Sequence, residues 1–130
     1  TEGLWLIARG LFKKVALGDN LAPIVQAGFA NPQLMSSTDA WIAALAFAFQ
    51  IYYDFSGYTD IGRGSAMLFG FSLPENFNMP YIARSLKDFW HRWHISLSTW
   101  LRDYLYIPMG GSKKGEASTL GNLFMTMVLG

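Results

Sequence analysis

The chain has no cysteine, and charged residues make up only 15% of it, against about a quarter in an ordinary soluble domain. The lack of cysteine excludes a disulfide framework, a thiolate metal site and a cysteine nucleophile. The formal net charge is only +1, so no basic surface predicts a nucleic-acid partner. The 130 residues are instead 52% hydrophobic and 16% aromatic, a composition that favours a membrane protein over a typical soluble domain.

Motifs of several common enzyme classes are missing as well. The chain contains no nucleophile elbow, no P-loop and no glycine-rich dinucleotide fingerprint, which excludes the usual hydrolase and nucleotide-binding designs. It also lacks the HExxH motif, and the nearest carboxylates along the chain from His91 and His94 are Asp88 and Asp103. Although the two histidines are three residues apart, we therefore expect no metal site.

Long apolar runs are scarce too, since no stretch reaches 18 unbroken apolar residues of the kind that marks a membrane span. The longest candidate, residues 40–53, has Gln50 as its only polar side chain besides the tyrosine hydroxyls, and would span about 21 Å as a helix. A polar, glycine-rich segment, residues 54–64, separates it from a second apolar run, residues 65–73. The pattern predicts two apolar half-helices with a break between them.

The polar interruption carries three charged side chains, Asp54, Asp60 and Arg63. Backbone that opens at membrane depth is tolerated only where protein buries it or water reaches it. We therefore expect a broken or re-entrant membrane helix, with these three side chains lining an interior cavity. The alternative is a surface loop of a soluble helical protein, in which Asp60 and Arg63 form an exposed ion pair that contributes little stability.

The remaining segments predict further helices. Residues 2–17 show the period of an amphipathic helix, and Gly18-Asp19-Asn20 is expected to end it. The polar cluster at residues 36–39 and Ser85 offer N-caps to the helices that follow them. Two prolines and two asparagines within residues 74–81 exclude a continuous helix there.

The densest chemistry lies in residues 86–108, which hold both histidines and three of the five tryptophans. Their spacing predicts one amphipathic helix with a favourable i,i+4 ion pair between Asp88 and Arg92. The many aromatic side chains favour a position at a membrane boundary. His94 lies at the edge of the apolar stripe with Ser98 one turn further on, and periodicity alone leaves a structural and a functional role equally open for it.

Four strings of residues resemble those of a known family. They are GLFKKVALGDNLAP at residues 10–23, YYDFSGYTDIGRG at 52–64, FGFSLPENFNMPY at 69–81 and DFWHRWHISLSTWLRDYLYIPMGG at 88–111. Together they are similar to the membrane-bound O-acyltransferase family, and above all to its bacterial branch that O-acetylates exported polysaccharides such as alginate.

The resemblance implies a fold and a location. The expected fold is all-α, a polytopic helical membrane protein with broken or re-entrant helices and interfacial amphipathic helices that enclose a tunnel. The expected location is the bacterial inner membrane, which the protein would cross several times. Residues 1–130 are then expected to be an internal fragment of a single membrane domain, truncated at both ends.

The resemblance also implies a reaction. An acyl group, most simply acetyl, would pass from acyl-CoA or another thioester donor towards hydroxyls of an exported polysaccharide. The expected partners are membrane lipid, the donor, and either the polysaccharide or a periplasmic or extracellular protein that carries the acyl group, with no permanently bound cofactor and no nucleic acid. Two alternatives stay open: D-alanyl transfer to teichoic acid by a sister branch, and a non-catalytic channel or transporter module.

The family is described with two functional histidines, and the one in its Trp-His-Ile-Ser string corresponds to His94. We expect His94 to be catalytic. The expected supports of the site around it are Arg92, Trp93, Ser98 and Asp103. The second histidine, usually held to be the base, is expected just beyond residue 130, so the fragment by itself is predicted to be inactive.

Overall fold

The computed structural model describes residues 1–30, 32–113 and 115–129, and these ranges contain helices and turns but no strand. They form six α-helices, which are α1 (Glu2–Leu11), α2 (Asp19–Ala30), α3 (Ser37–Leu68), α4 (Leu86–Arg92), α5 (Ile95–Leu101) and α6 (Glu116–Leu129). Two π-helical segments, Phe12–Gly18 and Arg102–Tyr106, and two 3₁₀ turns, Pro32–Leu34 and Pro80–Ile82, complete the helical elements. The prediction of an all-α fold is confirmed.

The chain divides into two compact units, Thr1–Pro74 and Glu75–Gly130. Within the described ranges, none of the helices combines the length and the apolar character that a membrane crossing requires. The polytopic membrane fold therefore stays a prediction.

In the first unit, α1, the π-helical segment Phe12–Gly18 and α2 follow one another without a break and pack antiparallel to α3. The predicted helix end at Gly18-Asp19-Asn20 is wrong. A Cβ at Gly18 would lie 2.5 Å from Asp54 Oδ1, so this glycine allows close packing on α3. The Asn20 side chain donates to the carbonyl of Ala16 at 2.9 Å, within the helical run.

Helix α3 passes through residues 54–64 as regular helix, so the predicted broken helix is also wrong. Its glycines serve packing: a Cβ at Gly57 would lie 2.8 Å from the carbonyl oxygen of Gly10, and one at Gly64 would lie 2.5 Å from that of Gly3. Small residues let two helix backbones approach closely. The predicted N-cap is confirmed, because the Ser36 side chain begins α3 in a capping box with Asp39.

Two charged side chains of the supposed break, Asp54 and Asp60, join α3 to α1 and to the π-helical segment Phe12–Gly18. The Asp60 carboxylate, only 5% exposed, accepts hydrogen bonds from Arg9 at 3.0 and 2.9 Å and from Lys13 at 2.7 Å. Asp54 pairs with Lys14 at 2.8 Å, and Arg63 lies 3.9 Å from Asp60. All three predicted cavity residues thus take part in ion pairs, and the predicted cavity rested on a helix break that the structure does not have.

In the second unit, Ser85 caps α4 as predicted, accepting a hydrogen bond from the Asp88 backbone at 3.1 Å. The predicted single helix over residues 86–108 is wrong, because the chain leaves helical geometry at Trp93 and His94 before α5 begins. After the π-helical segment Arg102–Tyr106 the chain turns, and the Asn122 side chain of α6 donates to the Gly111 carbonyl at 2.9 Å.

Candidate active site at the break before His94

The break between α4 and α5 has an unusual backbone. Trp93 is extended, with φ −106° and ψ 128°, and His94 is left-handed, with φ 42° and ψ 57°. Within the described residues, His94 and Met79 are the two non-glycine residues with positive φ. A left-handed L-residue costs about 1–2 kcal/mol, so the surrounding structure must hold it in place. We call residues 93–96 the histidine turn.

One support of the histidine turn comes from residues 75–81, which we call the brace segment. The backbone carbonyl of Asn76 accepts the N–H of Ile95, and its side-chain Oδ1 accepts the N–H of Ser96, both at 3.0 Å. His94 occupies the N-cap position of α5, but its side chain makes no capping hydrogen bond. Asn76 therefore caps this helix from a separate segment.

A second support joins the brace segment to the end of α4. The backbone N–H of Asn78 donates to the carbonyl of Arg92 at 3.0 Å, and Arg92 Nη1 donates to the carbonyl of Asn78 at 3.3 Å. Arg92 Nε also donates to Asp88 at 2.8 Å, which confirms the predicted i,i+4 pair. The guanidinium of Arg92 lowers the pKa of the Asp88 carboxyl below its usual value.

Aromatic rings pack around Trp93 on the N-terminal side of His94. Phe77 meets Trp93 edge-on, with ring centroids 4.9 Å apart, and Phe89 stacks on it at 5.6 Å. Tyr81 lies 6.3 Å from the same ring. Phe77 is only 9% exposed and Pro80 is fully buried, so the brace segment supplies much of this small core. Such aromatic pairs each contribute about 0.5–1.5 kcal/mol beyond their buried area.

Ser98 holds the turn from its C-terminal side. Its hydroxyl donates to the carbonyl of Trp93 at 3.1 Å, and its backbone N–H donates to the carbonyl of His94 at 2.9 Å. These bonds start the first turn of α5 and tie it to the extended residue before His94. The histidine is therefore supported by contacts on both of its neighbours.

The His94 side chain is half-buried, and burial lowers its pKa from the ordinary value of 6.5. The ring is accordingly neutral at physiological pH, with one nitrogen as hydrogen-bond donor and the other as acceptor. A neutral imidazole in a fixed backbone can orient a hydroxyl or a carbonyl, or take a proton from an attacking alcohol.

The structure brings some of the predicted site residues together and leaves others apart. Arg92, Trp93 and Ser98 all help to hold the turn that carries His94. Asp103 lies in the second π-helical segment, is exposed, and accepts hydrogen bonds from Arg102 at 2.7 and 3.2 Å. The other three predicted residues, Asp54, Asp60 and Arg63, belong to α3 in the first unit. No group of three potential metal ligands occurs in the described ranges.

Sequence reasoning missed the brace segment as part of this site. It identified residues 74–81 only as irregular, on the strength of their prolines and asparagines. No local pattern distinguishes Asn76, because asparagine is typical of turns as well as of helix N-caps. The N–H group that its side chain binds belongs to Ser96, 20 residues further along the chain.

Comparisons with known proteins identify the family of the chain. The model of MBOAT, the membrane-bound O-acyltransferase family, matches residues 2–129. The chain is 51% identical over 132 residues to "Probable alginate O-acetylase AlgI" of Pseudomonas fluorescens, covering 100% of this chain and 26% of that protein. It is 44% identical over 128 residues to the peptidoglycan O-acetyltransferase of Helicobacter pylori, covering 98% of this chain and 24% of that protein.

A shorter match relates the chain to a third enzyme. It is 46% identical over 61 residues to the teichoic acid D-alanyltransferase of Bacillus subtilis, covering 47% of this chain and 15% of that protein. The chain spans about a quarter of the length of the O-acetylases it matches. Since the family match extends over nearly all of its residues, the chain belongs to the membrane-bound O-acyltransferase family.

Proposed function

We propose that the protein containing these 130 residues is a membrane-embedded O-acyltransferase that O-acetylates an exported polysaccharide, with His94 in its active site. The observation that carries the proposal is the conformation of His94, a half-buried, neutral histidine in a left-handed backbone that several other residues hold in place. Strained backbone of this kind clusters at active sites, where it positions a reacting group.

The proposed reaction is acyl transfer from a thioester to an alcohol. The acceptor hydroxyl oxygen attacks the thioester carbonyl carbon, the carbon–sulfur bond breaks, and the hydroxyl proton passes through a base to the leaving thiolate. The neutral ring of His94 orients the donor or the acceptor by a hydrogen bond. We assign the base to a second histidine outside these 130 residues, so the segment alone is expected to be inactive.

The proposal also covers the donor, the acceptor, the cofactor requirement and the location of the enzyme. The donor is acyl-CoA or another acyl thioester, and the acceptor is the polysaccharide itself or a periplasmic or extracellular protein that carries the acyl group to it. No permanently bound cofactor is required by this chemistry. We propose that the whole protein lies in the bacterial inner membrane and crosses it several times.

Exposed apolar side chains support the membrane setting. Among the described residues, the buried apolar side chains are only Ala43, Ala46, Phe77 and Pro80, whereas Trp41 is 70% exposed and Phe69 80% exposed. Apolar surface on this scale is normally covered by lipid or by other protein. The rest of a longer membrane domain, together with lipid, would cover it here.

The choice of acceptor follows from the extent of the matches. The O-acetylases and the peptidoglycan O-acetyltransferase match essentially the whole chain, whereas the D-alanyltransferase matches about half of it. We therefore favour acetyl transfer to a polysaccharide over D-alanyl transfer to teichoic acid. A non-catalytic channel or transporter module would not explain why other residues hold His94 in a left-handed conformation.

The test compares two histidine variants of the full-length protein in a host that lacks its own copy. We expect His94→Ala to lower the ester-linked acetate of the exported polysaccharide by about 100-fold or more, the usual range for an acid–base or orienting residue. His91→Ala is the matched control, since His91 is exposed and lies three residues away on α4. We expect it to retain normal acetylation.

Membrane levels of both variants, measured by immunoblot, must equal the wild-type level. Normal acetylation by His94→Ala would overturn the assignment of His94. Release of D-alanine instead of acetate from the wild-type product would favour the alternative acceptor, and the absence of any ester in the wild type would favour the non-catalytic module.

A further inference from the structure

Helix α5 needs acceptors for its first backbone N–H groups, because no carbonyl of the preceding turn can reach them. A local serine, threonine, asparagine or aspartate normally meets this need. Here the residue at the N-cap position is His94, and its side chain makes no capping bond. Asn76, which precedes Ser96 by 20 residues, supplies both acceptors instead.

In most helices the residue at the N-cap position also caps the helix with its own side chain. Here His94 occupies the N-cap position, and the side chain of Asn76 caps the helix. Asn76 binds the N–H groups of Ile95 and Ser96, the two residues that follow His94. The bonds between Asn78 and Arg92 hold the chain just before the turn. The backbone of His94 is thus fixed from both sides by the brace segment, and its imidazole is not used to cap the helix.

We propose that Asn76 is a positioning residue that sets the direction of the His94 imidazole during acyl transfer, a role that rests on the proposed function of His94. Asn76 acts through the backbone of the histidine turn and does not itself touch the substrates. Loss of its side-chain acceptor frees the N–H of Ser96, and the turn relaxes from its left-handed geometry. Because a displacement of about 1 Å in a catalytic group can cost about 100-fold in rate, the effect should appear in turnover.

The test uses three variants of the full-length enzyme in membranes, with acetyl-CoA as donor and the polysaccharide as acceptor. Asn76→Ala removes the acceptor and is expected to lower kcat by about 10- to 100-fold, with KM for the donor unchanged. Asn76→Asp keeps an oxygen at the same position and is expected to stay within about threefold of wild type. His91→Ala is the control, since His91 is exposed and makes none of these contacts, and wild-type turnover is expected.

A double variant distinguishes positioning from general loss of stability. If Asn76 acts through His94, Asn76→Ala in the background of His94→Ala should lower the residual rate no further. An additional loss in the double variant would overturn the proposal, and so would a rise in KM with normal kcat. If Asn76→Ala does not accumulate in membranes, Asn76→Leu, which keeps the size of the side chain but has no acceptor, takes its place, and a kcat equal to that of Asn76→Asp would then overturn the proposal.

The same assay keeps this proposal distinct from the proposed function. If His94→Ala had wild-type activity, the function assigned to His94 would be wrong. Loss of activity in His94→Ala together with normal kcat in Asn76→Ala would remove only the positioning role.

Discussion

At the scale of single residues, Met79 and His94 are the two non-glycine residues with left-handed backbone in the described part of the second unit. Met79 precedes Pro80, whose ring favours extended geometry in the residue before it, so this local rule does not account for the left-handed Met79. His94 precedes an isoleucine, so no local rule requires its conformation. Contacts with the brace segment hold the backbone of His94 in this geometry.

The lowered pKa of His94 leads to a prediction about stability and pH. In the unfolded chain the ring titrates near 6.5, and in the folded protein burial moves its pKa below that value. Above both values the ring is neutral in both states, so it adds no pH dependence. As the pH falls below about 6.5, the unfolded state binds the proton first, and folding stability decreases until the pH passes the folded pKa.

The measurement is thermal unfolding of the purified full-length protein between about pH 8 and about pH 5. We expect the melting temperature to fall more steeply with pH in the wild type than in His94→Gln, whose side chain does not titrate. Equal slopes for the wild type and for His94→Gln would show that burial does not shift the His94 pKa.

At the scale of the elements, glycine does not mark the place where a helix breaks. In α3, Gly57 and Gly64 look like helix breakers in the sequence, yet they admit the backbone carbonyls of Gly10 and Gly3. At the real break, before α5, the chain uses a histidine and no glycine at all. Local composition therefore predicts the break in the wrong helix.

The glycine contacts predict a difference between neighbouring positions of α3. Gly57→Ala and Gly64→Ala should each destabilise the first unit by about 1–3 kcal/mol, because the new methyl group would overlap a carbonyl oxygen of α1. Gly62→Ala is the matched control, since no atom outside its own stretch of helix lies within 4 Å of the place that its new methyl group would occupy. It should stabilise the helix by about 0.5–1 kcal/mol through helix propensity.

Thermal unfolding in detergent, followed by far-ultraviolet circular dichroism, checks the order of the three variants. The expected order of melting temperature places Gly62→Ala at or above the wild type and the other two below it. A normal melting temperature for Gly57→Ala and Gly64→Ala would mean that α1 and α3 do not pack as closely as the structure shows.

At the scale of the whole molecule, many large apolar side chains are exposed and few are buried. The polar centre of the first unit, around Asp60, is better buried than most of its large apolar side chains, of which Trp5 is 68% exposed. An inverted distribution of this kind costs solvation free energy in water and little in lipid. It suits a segment whose outer faces meet lipid or further helices.

This surface predicts how the full-length protein partitions between membrane and water. We expect it to stay in the membrane pellet after extraction with high salt and with alkaline carbonate, and to be released by detergent. A peripheral protein of the same host serves as the control that carbonate releases. Release of the protein by carbonate would contradict the membrane setting of the proposed function.

Part of this fold could be predicted from the sequence because the interactions involved are local. The helical class, the N-caps at Ser36 and Ser85 and the ion pair between Asp88 and Arg92 involve residues at most four positions apart. Periodicity and spacing reveal such features directly. Each of the four strings that indicated the family is a continuous run of residues, so it can be recognised without the structure. The comparisons confirm the family that they indicated.

The continuity of α3 and the break before α5 were decided by tertiary structure. Gly57 lies in α3 where Gly10 packs against it, and His94 precedes a helix that Asn76 caps from 20 residues away. Both partners are far away in the sequence, and the free energy of such contacts depends on where folding places them. By itself the sequence determined the helical class and the family, whereas only the tertiary structure showed that His94 sits in a supported turn.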